Sequence, residues 1–326
     1  MKFHALLPIR DEADIIGQSL NHLLTWADAV YVFDTGSADE TWEIVQDMAS
    51  KEKRVIALKK DAVFYSETRL RGWMFDRARH QMREGDWFLR VDADEFHHIP
   101  PPDFVKDCMS KNETAAYHQY YDFQLTKSEA RKLETTTQIF EERKLPIEVR
   151  RRWFVPNRYS EPRLCRYRNA MQWPPSVSFP FNAGFVARAR MPIRHYPCRD
   201  PFQLQLRCRL RTAMMADEEN RSHWSRPDLH HWTEREWTKL IVPDDLAALQ
   251  FWEPGTELPE PHFTNHLPGP HIRVMQLLAH NFFLPVLDRM RQSYPPDAYP
   301  QKIPPDVLNR LNQELLQLRK LQCLPH

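Results

Sequence analysis

Asp86-Trp87-Phe88-Leu89-Arg90-Val91-Asp92-Ala93-Asp94-Glu95-Phe96 is the stretch of this sequence that best indicates its fold. Its apolar run stops at three acids within four residues. Short apolar runs that end at polar residues are typical of buried strands in an α/β sheet. Ligands of such sheets bind just beyond the carboxyl ends of the strands. These acids therefore indicate a cation, and the anion that this cation carries.

Strand-like and helix-like segments alternate on the N-terminal side of this stretch. Apolar runs predict strands at residues 2–9, 29–33, 54–58 and 86–91, and helical spacing predicts helices at 14–26, 37–48 and 66–83. This alternation predicts an α/β fold in which parallel strands have helices on both faces. An antiparallel α+β arrangement is the alternative.

On the C-terminal side the pattern is less regular. Residues 115–123, 164–167 and 185–189 read as strands, and 201–215, 232–240, 243–252, 271–291 and 306–321 read as helices. The last of these helices has leucines at helical spacing, which indicates a face that packs on a core.

The composition is that of a folded globular protein, with 42% hydrophobic and 27% charged residues among 326. The formal net charge of +1 gives no reason to expect nucleic acid or an anionic membrane surface as a partner. There are 7 glycines, and neither G-x-G-x-x-G nor a Walker motif occurs. Any phosphate chemistry must therefore use a metal or basic side chains.

The five cysteines are widely spaced and form no C-x-x-C pair, which argues against a zinc ribbon and a disulfide scaffold. Apolar residues 3–9 are followed directly by Arg10. This run is too short for a signal peptide or a transmembrane segment. We expect a cytoplasmic protein, either free or peripheral to the membrane.

Asp92 and Asp94 have D-x-D spacing, and residues two apart on an extended segment point the same way. Mn²⁺ and Mg²⁺ prefer oxygen ligands and keep positions for water and substrate phosphates. The pair therefore predicts a site for a divalent cation. Solvated loop acids are the alternative interpretation.

Asp34 ends the second predicted strand. The following residues Ser37 and Glu40 match a capping box that would open the next helix, and Gly36 permits a turn with positive φ. Because Asp34 is not needed as a cap, its carboxylate is available to accept a hydrogen bond from a nucleobase.

Four segments together resemble family 2 glycosyltransferases. Residues 7–16 resemble the opening P-x-x-N-E element, 34–41 resemble D-x-G-S-x-D-x-T, 86–96 resemble the strand ending in D-x-D-E, and 195–201 resemble an H-Y-x-x-R-(S/D)-P segment late in the catalytic domain. The first three occur in the order and at about the spacing of the family. Asp11 stands where the family usually has Asn, and Thr35 stands where many members have a second acid.

The resemblance implies a GT-A fold, which has a Rossmann-like, mostly parallel sheet flanked by helices. We expect a catalytic domain over residues 1–215, with a donor half at 1–100 and an acceptor half at 101–215, and a helical extension at 216–326. The implied reaction is metal-dependent transfer of a sugar from a UDP- or GDP-sugar to an acceptor hydroxyl in glycan or polysaccharide synthesis. The cofactor would be Mn²⁺ or Mg²⁺, and the acceptor a glycan or a lipid-linked glycan.

The resemblance also implies roles for individual residues. The nucleoside pocket would include Pro8, Arg10 and Glu12, and Asp34 would meet the base. Arg71 or Arg77 would lie near the nucleotide, and Asp92 would approach the ribose or the metal. Asp94 would ligate the metal, and His195 would contact the metal or a phosphate. A packed core histidine is the alternative for His195.

The catalytic base is not identified by this comparison. Many members have an acid in the second half, often beside a histidine, but residues 173–179 contain none. Glu161, Asp122 and Asp200 are the remaining candidates, and inverting and retaining mechanisms both stay open.

Two other functions fit parts of the sequence. A non-catalytic module that binds a nucleotide-sugar or a glycan would explain the missing acid. A nucleotidyltransferase would also place acids and a metal beside an α/β sheet, but it normally needs a glycine-rich basic loop after the first strand. Residues 8–12 do not form such a loop.

Overall fold

A computed structural model of the chain describes residues 1–65, 68–157, 159–175, 177–181, 183–216, 237–260, 269–278, 286 and 299–321. Its first part alternates strands and helices: β1 (Phe3–Ile9), α1 (Ile16–Leu23), β2 (Ala29–Asp34), α2 (Thr41–Lys51), β3 (Val55–Lys60), α3 (Arg69–Ala78) and β4 (Trp87–Arg90). β1 pairs in parallel with β2 and β4, and β2 pairs in parallel with β3. The predicted parallel sheet is confirmed, with the order β4-β1-β2-β3.

Helices cover both faces of these strands. Ala5 and Leu7 of β1 pack in one core with residues of α1 and α2, whereas Leu6 packs in a second core with residues of α3. Because successive strand residues point to opposite faces, a strand buried on both sides needs an unbroken apolar run. This requirement explains why β1, β2 and β4 could be recognised in the sequence.

The second part adds antiparallel strands to the sheet. Its elements are β5 (Glu95–His97), α4 (Pro101–Cys108), β6 (Ala115–Phe123), α5 (Lys127–Ala130), α6 (Thr136–Arg143), α7 (Ile147–Arg150), β7 (Trp153–Pro156), β8 (Pro162–Arg166), β9 (Met191–His195), α8 (Pro201–Met214), β10 (Gln250–Phe251), α9 (Pro270–Leu278) and α10 (Pro305–Leu321). β8 is antiparallel to β4 and β6, β5 is antiparallel to β9, and β6 is parallel to β9. The α/β class is confirmed, but the complete sheet is mixed; the expected parallel pairing describes β1 to β4.

Several predicted elements in the second part were wrong. The strand expected at 185–189 is reduced to a single bridge between Ala115 and Val186, and the helix expected at 243–252 is a series of turns that ends in β10. Strands β5, β7 and β9 were not predicted, because they are short and depend on partners that are distant in sequence.

The C-terminal predictions are met in part. α10 agrees with the helix expected at 306–321, a 3₁₀ turn covers Trp237–Leu240, and α9 covers the start of the helix expected at 271–291. Residues 232–236, 279–285 and 287–291 of these predictions lie outside the described residues. β10 pairs with β7 and α10 packs against α8. No helix within the described ranges has the length and apolar composition needed to cross a bilayer.

Candidate functional site

The polar segments that follow β1, β2 and β4 meet at one edge of the sheet. Ile9, the last residue of β1, is paired with Asp34, the last residue of β2. β4 lies on the other side of β1 and ends just before Val91 and Asp92. Parallel pairing therefore brings three of the four recognised segments to a common edge.

Asp94 is buried among basic side chains. Its Oδ2 lies 2.8 Å from Nη2 of Arg207, 3.6 Å from Nε2 of His195 and 3.8 Å from Nη1 of Arg199. Burial disfavours the charged carboxylate, but Arg207 and His195 outweigh it and hold the pKa of Asp94 well below its ordinary value. Asp94 is therefore an ionised carboxylate in a cationic environment.

His195 is held by a second carboxylate. Strand β9 places His195 opposite Glu95 of β5 and opposite Asp122 of β6. The Nδ1 of His195 lies 2.7 Å from Oδ1 of Asp122, and the ring stacks on Tyr120 at a centroid distance of 4.6 Å. Burial lowers the pKa of His195, but the carboxylates of Asp94 and Asp122 outweigh it and raise the pKa to about 10.

Asp92 has different partners and is more open to solvent. Its carboxylate lies 3.0 Å from Nη2 of Arg71, 3.2 Å from the hydroxyl of Tyr65 and 3.4 Å from Nη1 of Arg163. The side chain of Asp92 is 28% exposed, compared with 3% for Asp94. The two acids of the D-x-D pair therefore occupy separate environments.

Arg163 of β8 joins several acids behind the site. Its Nη2 lies 2.9 Å from Oε1 of Glu95 and 3.0 Å from Oε1 of Glu161, and it donates to the hydroxyl of Tyr120. Arg90 of β4 also donates to Glu161, at 3.0 Å. Sequence reasoning missed this network, although an arginine inside an apolar strand is a signal, because a buried guanidinium requires partners.

Arg199 connects the segment after β1 with Asp94. Its Nε and Nη2 lie 2.6 and 2.9 Å from the carboxylate oxygens of Asp14, and Nη2 also donates to Glu12. Burial raises the pKa of Glu12 to about 7, against the opposing effect of Arg199. Arg199 belongs to the fourth recognised segment, yet no role was predicted for it.

The carboxylate of Asp34 closes its own turn. Oδ1 accepts hydrogen bonds from the backbone N–H groups of Gly36 at 2.8 Å and Ser37 at 2.6 Å. Oδ2 is buried and has no hydrogen-bond partner within the described residues. Burial raises the pKa of Asp34. Oδ1 therefore stabilises the turn, and Oδ2 is an acceptor that receives no hydrogen bond from the described residues.

The capping box predicted at Ser37 and Glu40 was wrong. Helix α2 begins at Thr41, and its N-cap residue Glu40 makes no side-chain cap hydrogen bond. Ser37 Oγ instead accepts from the backbone N–H of Asp11 at 2.8 Å, and Asp11 Oδ1 accepts from Ala38 at 2.7 Å. Asp11 has a positive φ of 51° and is buried, so its backbone amide needs this acceptor.

The other predicted site residues are distributed unevenly. Pro8 is buried opposite Phe33, and Nη1 of Arg10 donates to the carbonyl oxygen of Thr35 at 2.7 Å. Of the two predicted arginines on α3, Arg71 contacts the carboxylate of Asp92. Arg77 is exposed, with its guanidinium 5.0 Å from the ring centroid of Trp73.

The three candidates for the catalytic base also differ in position. Asp200 is completely buried, caps α8 through Gln203 and lies 2.9 Å from Arg143. Glu161 is held by two arginines, as described above. Asp122 is paired with His195, and its Oδ2 accepts from Asn157 Nδ2 at 2.7 Å.

The donor set is compatible with a cation that is shared with a substrate. Within the described residues, no three side chains of Asp, Glu, His or Cys form a complete metal site. Asp94 Oδ2 and His195 Nε2 nevertheless lie 3.6 Å apart, and Asp122 fixes the other nitrogen of His195, as is usual for metal-binding histidines. A cation that binds here would displace the proton from Nε2, because only the neutral imidazole is a metal ligand. Two protein donors suit a hard divalent cation that completes its coordination with phosphate and water.

Comparison with known proteins identifies one matching family model. The model described as Glycosyl transferase family 2 matches residues 5–183, which is more than half of the chain. No curated protein matches the sequence.

Solved structures also resemble parts of the chain. Mannosyltransferase PcManGT from Pyrobaculum calidifontis, in complex with GDP-Man and Mn²⁺, is 18% identical over 39% of this chain and 36% of its own, with a TM-score of 0.29. Mannosyl-3-phosphoglycerate synthase from Rubrobacter xylanophilus is 16% identical over 43% and 44% of the two chains, with a TM-score of 0.27. Glucosyl-3-phosphoglycerate synthase from Mycobacterium tuberculosis, in complex with phosphoglyceric acid, is 16% identical over 37% and 44%, with a TM-score of 0.23. The similarity spans less than half the length of each of these structures.

Proposed function

Because the chain belongs to glycosyl transferase family 2, we propose that it transfers a sugar from a nucleoside diphosphate donor to an acceptor hydroxyl. The observation that carries this proposal is the arrangement of Asp94, His195 and Asp122 at the sheet edge, beside Arg199 and Arg207. Asp94 and His195 would hold Mn²⁺ or Mg²⁺ together with the diphosphate. UDP- and GDP-sugars remain the expected donors.

The side chains around Asp94 suit a leaving diphosphate. When bound, a divalent cation would act as a Lewis acid and neutralise negative charge on the departing diphosphate. Arg207 is 20% exposed while paired with Asp94, so its guanidinium is able to contact a phosphate oxygen as well. Fixed cations that face developing negative charge lower the barrier without having to reorganise. Asp34 would accept an N–H of the nucleobase through its free Oδ2.

Acceptor activation is proposed for Asp122 or Glu161. Asp200 is less suitable, because both of its oxygens are engaged by Arg143 and it has no exposed surface. Burial opposes ionisation of Glu161, but Arg163 and Arg90 outweigh it and keep its pKa low, which weakens it as a base. The variants Asp122→Asn and Glu161→Gln separate the two. Replacing the true base should abolish transfer even at saturating donor and Mn²⁺, where any weakening of metal binding through His195 is compensated.

The experiment that tests the donor site is a titration of the full chain with UDP and GDP, with and without Mn²⁺, followed by thermal unfolding. A ligand that binds only the native state raises its stability by mass action. We expect metal-dependent stabilisation by at least one nucleotide, and its loss in Asp94→Asn and His195→Gln. Asp107→Asn on the exposed part of α4 is the matched control. Stabilisation that is absent, or unaffected by Mn²⁺, would contradict the proposal.

A binding module without catalytic activity is the second candidate. Its support is that residues 173–179 contain no acid, and that each candidate base already has a basic or polar partner. A donor that binds but is neither hydrolysed nor transferred to glycan or lipid-linked acceptors would favour this candidate.

A cytoplasmic location remains a prediction from the sequence.

A further inference from the structure

A cleft of about 510 Å³ lies between the sheet edge and the C-terminal helix α10. Residues 36–38, which follow β2, and residues 60–62, at the end of β3, form one side, and α10 forms the other. This volume falls within the roughly 300–1,000 Å³ that is usual for small-molecule pockets. Because α10 lies outside residues 5–183, the match to the family assigns it no role.

The position of α10 is fixed by the same loop that lines the cleft. The backbone N–H of Ile303 donates to the carbonyl oxygen of Ala62 at 3.0 Å, and the N–H of Phe64 donates to that of Gln301 at 2.8 Å. Leu311 of α10 packs with Phe64 in a small core. The helix is therefore attached beside the cleft through residues 62–64, and its inner face has a defined position.

That inner face is apolar except for one side chain. Leu308 and Leu315 line the cleft, and Asn312 lies on the same face, four residues after Leu308. Asn312 is half-buried, and its amide makes no hydrogen bond within the described residues. Lys60 lies on the opposite side of the cleft, at the position of β3 that is adjacent to Asp34 of β2 in the strand register.

Apolar walls with a few polar groups suit a nucleobase, which has apolar faces and a polar edge. The cleft also borders the turn that holds the predicted base-binding residue, because Gly36 and Ser37 line it and donate their backbone N–H groups to Asp34 Oδ1. We propose that α10 closes the base side of the donor site, and that Asn312 determines base specificity by contacting the polar edge of the base. This proposal depends on the proposed function, since it assumes a nucleotide donor.

An amide both donates and accepts, so it is able to pair with the adjacent N–H and C=O groups of uracil or guanine. The test measures the Kd of UDP, GDP and ADP by calorimetry in the presence of Mn²⁺ for the wild type, Asn312→Ala, Asn312→Asp and Asn312→Trp. Gln313→Ala is the matched control, because Gln313 is the next residue on α10 and is exposed. Thermal unfolding of each variant without nucleotide reports on folding.

We expect Asn312→Ala to weaken the preferred nucleotide about three- to tenfold, the range for one lost hydrogen bond. Because the proposal has Asn312 bond the preferred base and not the other, the Kd of the other nucleotide should change little, and the preference between UDP and GDP should fall by the same factor. Asn312→Asp, which keeps an acceptor and removes the donor, should change that preference, and Asn312→Trp should fill the cleft and abolish binding. Gln313→Ala should match the wild type.

The inference and the proposed function fail in different ways. If the wild type binds a nucleotide and Asn312→Trp binds it with the same Kd and the same preference, the cleft does not hold the base and the inference is wrong. If none of the three nucleotides binds the wild type, the proposed function itself fails.

Discussion

Asp34 ends β2 and Asp94 follows β4, the two strands that flank β1, yet these acids are held in opposite ways. The hydrogen bonds of Asp34 Oδ1 come from backbone N–H groups two and three residues further along the chain. The partners of Asp94 are the side chains of His195, Arg199 and Arg207, all more than a hundred residues away. One carboxylate is arranged by local chain geometry, and the other depends on the assembled second half of the fold.

This difference has an energetic consequence. The carboxylate of Asp34 accepts from neutral backbone groups, whereas that of Asp94 pairs with full positive charges, and two opposite charges attract strongly in a buried site. A buried charge also becomes costly when its partner is removed. Substitutions in the Asp94 region should therefore have larger effects than substitutions in the loop of Asp34.

The largest effect is expected for Asp94→Asn. The neutral amide would remove the carboxylate charge that pairs with Arg207 at 2.8 Å, and with it one of the two proposed donors to the cation. We expect the rate of sugar transfer to fall by about 100- to 1,000-fold, the range for loss of one key electrostatic group. Initial rates with saturating donor and Mn²⁺ measure this, with Asp107→Asn as the control. A fall of less than tenfold would show that Asp94 is not central to the site.

Arg163→Gln tests the long-range side of the comparison through stability. It would leave the buried Glu95 and the largely buried Glu161 without the guanidinium that lies between them. Removing one partner of a buried ion pair costs about 3–5 kcal/mol, so the free energy of unfolding should fall by that amount. Urea denaturation measures it. The exposed Arg188→Gln provides a control that should stay within about 0.5 kcal/mol of the wild type.

The comparison also explains what could be predicted from the sequence. β1 to β4 and the acids that follow them were identified because each unit buries its own apolar run and ends in its own polar loop. Arg163, Arg199 and Arg207 were not identified, because their role depends on contacts of β8, α8 and the residues before α8 with the acids that follow β4 and β1. Pairing over such distances leaves no periodic signal in the sequence. The position of α10 beside residues 60–62 was equally inaccessible.

Asp200 has two roles: it caps α8, and it pairs with the distant Arg143. Asp200→Asn tests the second role separately from the first. Asn also caps helices well, so the variant should mainly lose the pairing with Arg143. Burial opposes ionisation of Asp200, but Arg143 outweighs it and lowers the pKa. A lowered pKa contributes stability above the ordinary value, near 4, and this contribution is lost as the pH falls through the lowered pKa.

We therefore expect Asp200→Asn to reduce the free energy of unfolding by about 1.5–3 kcal/mol at pH 7. The difference from the wild type should shrink as the pH falls below 4. Urea denaturation at pH 7, 5 and 3.5 measures this dependence. A difference that stays constant with pH would mean that lost packing or capping, rather than charge, causes the effect.

Ser37→Ala probes the local side of the comparison and should have the smallest effect. If Ser37 were the cap of α2, its loss would weaken the first turn of that helix. Because Ser37 Oγ accepts from the backbone N–H of Asp11, its loss should leave that amide without an acceptor, at a cost of about 1 kcal/mol. Amide hydrogen exchange distinguishes the two outcomes: Asp11 should lose protection, whereas Ile44, which bonds to Glu40 in the first turn of α2, should keep it. Loss of protection at Ile44 alone would contradict this account. It would mean that Ser37 caps α2, as the sequence predicted, and that the loop after Asp34 is stabilised by the helix and not by Asp11.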